Sequence, residues 1–220
     1  MTARTDHELF QEMRARLSTA IIGDVLDQHG LHHQFLMPQC RPLDQKTILC
    51  GRAMTVLESD VDGIPDPPFG LMLKALDSLK ENEVYMAAGA SPRYALWGEL
   101  MSTAARARGA AGAVLAGYTR DTHGILAMAF PVFCYGSYAQ DQKGRGKVVD
   151  FRLPLEIEGV RVQPGDIVFG DVDGVVVLPR ELEEIVVPQA LALATKEKIA
   201  KKMLQEGASS ESVFSETGVL

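Results

Sequence analysis

Leu9, Phe10, Met13 and Leu17 recur at helical spacing, which predicts a short amphipathic helix over residues 6–16. Ser18 or Thr19 can cap a second helix carrying Ile21, Ile22, Val25 and Leu26, closed by Gly30. LHHQFLMPQCRPLDQ is a polar, proline-punctuated connection, and ILCGRAMTVLE then reads as a strand broken at Gly51. ESDVDGIPDPPFG is a loop by its Pro, Gly and Asp content, long enough for a lid or a subunit contact. LMLKALDSLKE predicts a helix and EVYMAAG a strand. ASPRYALWGELMSTAARARG starts as a loop and turns helical at about Gly98. Leu100, Met101, Ala104, Ala105 and Ala107 form its expected buried stripe, and Gly109 its stop. AAGAVLAGY is the next strand.

From Phe130 the texture turns to β. PVFCYG, KVVDF, LPLEI, VRV, DIVFGD and GVVVLP are short strands joined by Gly and Pro turns. ELEEIVVPQALALATKEKIAKKMLQEG predicts one or two helices, with Pro188 a break or a first-turn residue. The tail ASSESVFSETGVL is polar and reads as weakly structured. Helices at both ends with strands between predict an α/β layered domain with a mixed sheet. The expected division is a domain over residues 1–180 and a helical extension and tail over 181–220, packing on the domain or on a neighbouring subunit.

Composition adds mainly exclusions. Apolar residues make up 46% and charged residues 23% of the 220, ordinary values for a globular protein large enough to need no disulfide or metal for its core. The net charge is -7, and only KEKIAKK is locally basic, which argues against nucleic acid or an anionic membrane as partner. Cys40, Cys50 and Cys134 are far apart and odd in number, so reduced thiols are expected rather than a disulfide framework or a zinc knuckle. No signal peptide and no bilayer-length apolar run is recognisable, and the expected location is the cytoplasm.

The candidate chemistry lies in GAVLAGYTRDTHG, where an apolar strand ends in Arg120 and Asp121. The helix opening at Gly98-Glu99-Leu100-Met101 leads into that strand, so the helix start and the strand end should be neighbours. Free amides at a helix N-terminus accept a carboxylate, and Gly98 lets a ligand approach the backbone. Arg120 would stabilise negative charge on an adjacent oxygen. Asp121 would anchor a hard cation such as Mg2+, with Glu99 holding its waters. Such a set suits the enolate of a 2-keto acid, the intermediate of retro-aldol cleavage and of 3-decarboxylation. The plainer reading of Arg120-Asp121 is a surface turn with local salt bridges.

WGELMSTAARARGAAGAVLAGYTRD, FPVFCYG and VQPGDIVFGDVDGVVVLPR resemble the RraA-like family, over about Ile21 to Glu206. That family includes metal-dependent class II 4-hydroxy-4-methyl-2-oxoglutarate/4-carboxy-4-hydroxy-2-oxoadipate aldolases, which also decarboxylate oxaloacetate. The resemblance implies an αββα sandwich of the swivelling-domain kind, assembled as a homotrimer or homohexamer. It implies Mg2+, with Mn2+ or another divalent cation able to substitute, and a 2-keto acid substrate. By the same resemblance Arg120 contacts the keto oxygen, Asp121 ligates the metal, the amides of Leu100 and Met101 hold the substrate carboxylate, and Glu99 binds metal waters. Glu197 corresponds to a glutamate supplied by a neighbouring subunit. One departure is Gly124, where the aldolases tend to carry an acid, and DVDGIPDPPFG is also unusual for the family.

Other candidates are weaker. His123 could share a face with Asp121 if the segment were extended, or simply face solvent. His32 and His33 read as a polar turn, and Asp171 and Asp173 as a tight turn accepting backbone N–H bonds. Arg93, Tyr94 and Trp97 either line the far end of a substrate site or pack an interface. The rival function, within the same resemblance, is a non-catalytic regulatory protein of the RraA type that binds a ribonuclease or another protein. Those chains lack the long C-terminal helical segment present here. A menaquinone methyltransferase activity has no support, since no GxGxG loop follows an early strand.

Overall fold

The computed structural model describes residues 4–220. In chain order the elements are α1 (Asp6–Arg16), α2 (Thr19–Gln28), β1 (Arg41–Pro42), β2 (Leu49–Asp60), α3 (Met72–Asp77), β3 (Glu83–Ala88) and β4 (Ala95–Trp97). There follow α4 (Glu99–Ala107), β5 (Gly112–Leu115), β6 (Tyr118–Thr119), α5 (Thr122–Ala127), β7 (Val132–Cys134), β8 (Gly146–Phe151) and β9 (Leu155–Ile157). The chain ends with β10 (Val160–Val162), β11 (Ile167–Asp171), β12 (Gly174–Leu178), a 3-10 turn, α6 (Glu183–Gln205) and α7 (Ser210–Thr217).

The main sheet has the order β1-β7-β5-β3-β2-β11-β12, with β8 also paired to β2. The pairs β2/β3, β3/β5 and β5/β7 are parallel and the rest antiparallel, so the sheet is mixed, as the sequence predicts. Its ends approach one another. Arg41 donates to the carbonyls of Val172 and Asp173 in the β11–β12 turn, and Phe35 bridges to Val176, so the sheet curls until nearly closed.

Period-two alternation along the strands sorts side chains between three clusters. Val84, Met86, Val114, Val168, Val175 and Val177 point into the curl, where the β9–β10 hairpin adds Leu155, Ile157, Val160 and Val162. Their neighbours Tyr85, Ala87, Ala113 and Leu115 point outward beneath α3, α4 and α5. Ile167, Phe169, Val176 and Leu178 point outward beneath α1, α2 and α6. Each fully buried aliphatic or aromatic side chain contributes roughly 1.5–3 kcal/mol, so the core needs no cross-link. Two β layers with helices outside each are the αββα sandwich that the resemblance implies.

Several elements differ from expectation. Gly51 does not break β2, which runs unbroken over 12 residues. A Cβ there would collide with the Asn82 carbonyl and lie 2.9 Å from Val84, so this glycine serves a close approach. Pro188 lies inside a single 23-residue helix, α6. It is exposed, and so is Glu184, whose carbonyl loses its amide partner and can turn to water. The tail forms α7, capped by Ser209 and anchored by buried Val213. Helix α6 contributes Val186, Val187 and Ala190 to the core shared with α1 and α2, and Arg52 joins Asp6 of α1 to Glu183 of α6. No helix among the described residues is long and apolar enough to cross a membrane.

Candidate active site

Strands β4 and β6 pair in parallel, Ala95 opposite Tyr118 and Trp97 opposite Thr119. This small ladder brings Gly98 beside Arg120: the Arg120 N–H donates to the Trp97 carbonyl at 2.9 Å. Gly98 is the N-cap of α4 and has extended backbone, so its φ does not require glycine. Space does. A Cβ at 98 would sit 2.8 Å from Asp121 Oδ2 and 3.5 Å from Arg120 Cγ. No side chain caps α4, and the Ser102 N–H already reaches the Gly98 carbonyl at 3.0 Å. The amides of Leu100 and Met101 therefore open the helix in the manner of an anion site.

Arg120 is partly exposed, its Nε 3.5 Å from Asp121 Oδ2 and its Nη1 3.3 Å from Asp141 Oδ1. Asp121 adopts φ 56° and ψ 34°, a left-handed conformation costing about 1–3 kcal/mol for a non-glycine residue. Although Asp121 is the N-cap of α5, its side chain makes no capping bond and its carboxylate faces Arg120 instead. Glu99 extends from the first turn of α4 over Gly124, where a Cβ would collide with its carboxylate. The glycine that departs from the family pattern is thus the seat of Glu99.

A cavity of about 310 Å³ opens from this cluster. One end carries Gly98, Arg120, Asp121, Asp141 and Gln142; the rest is apolar, lined by α3, Trp97 and α4. Leu100 and Ala104, expected as core, line this cavity instead, Leu100 being 84% exposed, whereas Met101 lines it and also packs against the core as expected. The buried residues of α4 are Ser102 and Ala105, while Ala107 faces solvent. Trp97 is buried as the cavity floor with its indole N–H donated to Ser102 at 2.6 Å, whereas Tyr94 is buried against Asp60 and Arg93 is exposed.

Behind the polar end lies a buried carboxyl. Glu58 sits where the β2–β8 register shifts, and its Oε2 accepts from Gln142 Nε2 at 2.6 Å. Bulges of this kind redirect a side chain. Glu58 Oε1 and the Tyr85 hydroxyl are both buried without a partner among the described residues. Burial pushes the Glu58 carboxyl up to about 8, against the lowering effect of the Gln142 bond.

Of the residues expected from sequence, Gly98, Leu100, Met101, Arg120 and Asp121 meet at one cavity, with Glu99 beside them over Gly124. His123 does not meet them. It lies in α5 rather than an extended segment, is exposed, and lines neither of the pockets that share Arg120 and Asp121. Glu197 lies half-buried on α6 in a groove against Val219 and Leu220, apart from Arg120 within this chain. Asp171 accepts from the amide and hydroxyl of Thr19, each at 2.8 Å, and from the Asp173 amide, so that pair is structural. Among the described residues His32 pairs only with Asp27, at 3.1 Å on the surface, and the three cysteines are free and buried. Asp141, Gln142 and Glu58 were not anticipated. Asp141 arrives through a parallel bridge to Ala95, a pairing without a local sequence signal.

No cluster of three or more His, Cys, Asp or Glu side chains forms a metal cage among the described residues. The donor set at the cavity is hard and sparse, the carboxylates of Asp121 and Asp141 with Glu99 nearby. It fits Mg2+, which binds through one or two carboxylates and keeps several waters, better than a zinc site built from His and Cys.

The family model described as RraA-like, Aldolase/RraA, matches residues 19–177. The chain belongs to the RraA-like family. Among its relatives, a Halalkalibacterium halodurans protein named "Putative 4-hydroxy-4-methyl-2-oxoglutarate aldolase" is 32% identical over 90% of this chain and 87% of its own length. Protein DlpA of Legionella pneumophila is 29% identical over 88% of this chain, which spans only 31% of DlpA. A solved RraA-like structure, Streptomyces coelicolor RraAS2, described as an unusual member of the RNase ES inhibitor RraA family, superposes with a TM-score of 0.78 at 22% identity. It covers 91% of this chain and 99% of its own, and this likeness shows the shared RraA-like fold.

Proposed function

We propose that this protein is a divalent-metal-dependent carbon–carbon lyase that cleaves a 2-keto acid through a pyruvate enolate, by retro-aldol cleavage of a 4-hydroxy-2-oxo acid, by decarboxylation of oxaloacetate, or by both. The observation that carries this reading is the convergence of the Arg120 guanidinium, the Asp121 carboxylate and the uncapped start of α4 at one end of a cavity. Aldolase names among relatives at about 30% identity support the same class.

The Leu100 and Met101 amides hold the substrate carboxylate, fixing the keto oxygen toward Arg120. As the C3–C4 bond breaks, its electron pair moves into the enolate and charge gathers on that oxygen, where the guanidinium stabilises it. Asp121 and Glu99 would hold Mg2+, which supplies further positive charge at the keto oxygen when bound. Asp141 fixes the plane of the guanidinium through Nη1. Asp141→Ala is expected to lower kcat about tenfold with little change in KM, and Asp141→Asn, which keeps an acceptor oxygen, to recover part of the loss. Equal loss in kcat and KM would remove that positioning role.

The direct test measures pyruvate release from oxaloacetate and from 4-hydroxy-4-methyl-2-oxoglutarate. EDTA should abolish it, and Mg2+ or Mn2+ should restore it. The reading includes assembly as a homotrimer or homohexamer in which a second copy brings Glu197 to the site, checked by mass in solution. A second reading is a regulatory protein that binds a ribonuclease or another protein partner, favoured by the fold shared with the Streptomyces RraA protein. Absence of metal-stimulated turnover on both substrates, with tight ribonuclease capture, would select it.

A further inference from the structure

We infer that Glu58 is a positioning residue of this site: through Gln142 it holds the segment that carries Asp141 against Arg120. Its effect on rate rests on the lyase reading; its effect on placement does not. The chain of contacts is short. Glu58 Oε2 accepts from Gln142 Nε2 at 2.6 Å, Asp141 is the adjoining residue, and Asp141 Oδ1 lies 3.3 Å from Arg120 Nη1.

The first observation is how the connection between β7 and β8 is anchored. Residues 135–145 form no helix and no strand of their own, and Gln142 is the single buried residue among them. Its carbonyl accepts the amides of Arg145 and Gly146, at 2.8 and 3.0 Å, so the turn into β8 hangs on the same residue. On the other side Asp141 bridges to Ala95, and the Gln140 carbonyl accepts the Ala95 amide at 2.8 Å. The side chain that pins this segment to the core has one hydrogen-bonding partner among the described residues, Glu58.

The second observation is Glu58 itself. It follows Met54 and Val56 on one face of β2 and stands opposite Val148, all three in the core cluster beneath α3 and α4. Packing alone favours an apolar side chain there, and a glutamate so buried is rare. Among the described residues its sole hydrogen bond is the one from Gln142. Burial pushes its carboxyl up to about 8, so at neutral pH it meets Gln142 as a neutral acid. Glu58 and Gln142 are covered by this chain's own elements, so a second copy at the cavity mouth leaves their surroundings unchanged. Without the carboxyl, the Gln142 amide stays in the core unpaired, at the full cost of its desolvation. Turning that amide out toward water draws Asp141 off Arg120.

Crystal structures of the parent and of Glu58→Leu read placement without turnover. The Asp141–Arg120 separation should open beyond about 4 Å in Glu58→Leu, the outer limit of an ion pair, and be kept in Glu58→Gln. Kinetics of the full chain with oxaloacetate and Mg2+ then read the rate as a double-mutant cycle. Glu58→Leu should lower kcat about fivefold with KM nearly unchanged, and Glu58→Gln should restore most of it. In an Asp141→Ala background, Glu58→Leu should cause no further loss. Val168→Ala, a core change inside the curl, should leave kcat at the parent value. An unmoved Asp141, losses that multiply in the double variant, or an equal loss in Val168→Ala overturns the inference. Should Glu58→Leu fail to fold, Gln142→Met breaks the same bond from the other side and is read by the same structure and cycle. A displaced Asp141 in a protein that releases no pyruvate keeps the inference and removes the lyase reading. Pyruvate release with Asp141 in place does the opposite.

Discussion

Replacing Arg120 by alanine is expected to lower the rate of pyruvate release by about a thousandfold while leaving the thermal midpoint nearly unchanged. Removing one donor to a developing oxyanion costs roughly 10²–10³ in kcat, and the guanidinium also supplies a full charge. The fold should be indifferent, because Arg120 is partly exposed and its ion pairs with Asp121 and Asp141 are long, 3.5 and 3.3 Å. Arg120→Lys should recover part of the rate, since a point charge remains without the planar fork. Steady-state kinetics with oxaloacetate and calorimetric melting check both halves. Near-normal turnover in Arg120→Ala would place enolate stabilisation on other groups.

The second large effect concerns stability. Glu58 is buried, with its carboxyl pushed up from 4.5 to about 8 by desolvation. The folded state therefore binds this proton more tightly than the unfolded chain does. Its contribution is fully present below about pH 4.5 and is lost as pH rises toward and through 8, where a buried carboxylate must carry charge. The span corresponds to roughly 3–6 kcal/mol, or a change in melting temperature on the order of ten degrees for a chain of this size. Glu58→Gln keeps an acceptor for Gln142 Nε2 but cannot ionise. The difference in melting temperature between variant and parent should widen in the variant's favour from pH 6 to pH 9. Parallel curves across that window would mean that Glu58 titrates like an exposed glutamate.

The strands and the caps were legible in the chain because their causes are local. Apolar runs bounded by Gly and Pro located most strands, although β1 and β4 fall in segments that read as a connection and a loop, and Ser18 marked the start of α2 through its bond to the Ile21 amide. The neighbourhood of Gly98 and Arg120 was legible too, since a helix feeding the adjacent strand leaves few other arrangements. Leu100 was misread as core for a physical reason: a helical stripe facing a cavity and one facing a core carry the same residues. Asp141 and Glu58 were invisible because they depend on pairings between distant segments, Asp141 with Ala95 and Gln142 with Glu58, 84 residues apart. The tail was read from polarity alone, which missed that one apolar residue, Val213, and a Ser209 cap suffice to dock α7.

Gly124 carries a last consequence. Residues 99 and 124 stand on different helices yet compete for one volume, since any side chain at 124 would evict the Glu99 carboxylate from its present resting place. Acidity at this rim is therefore transferable between the two helices. A chain of this architecture can move its negative charge from one helix to the other by exchanging a glycine for an acid at the second position and vacating the first, with the backbone left as it is.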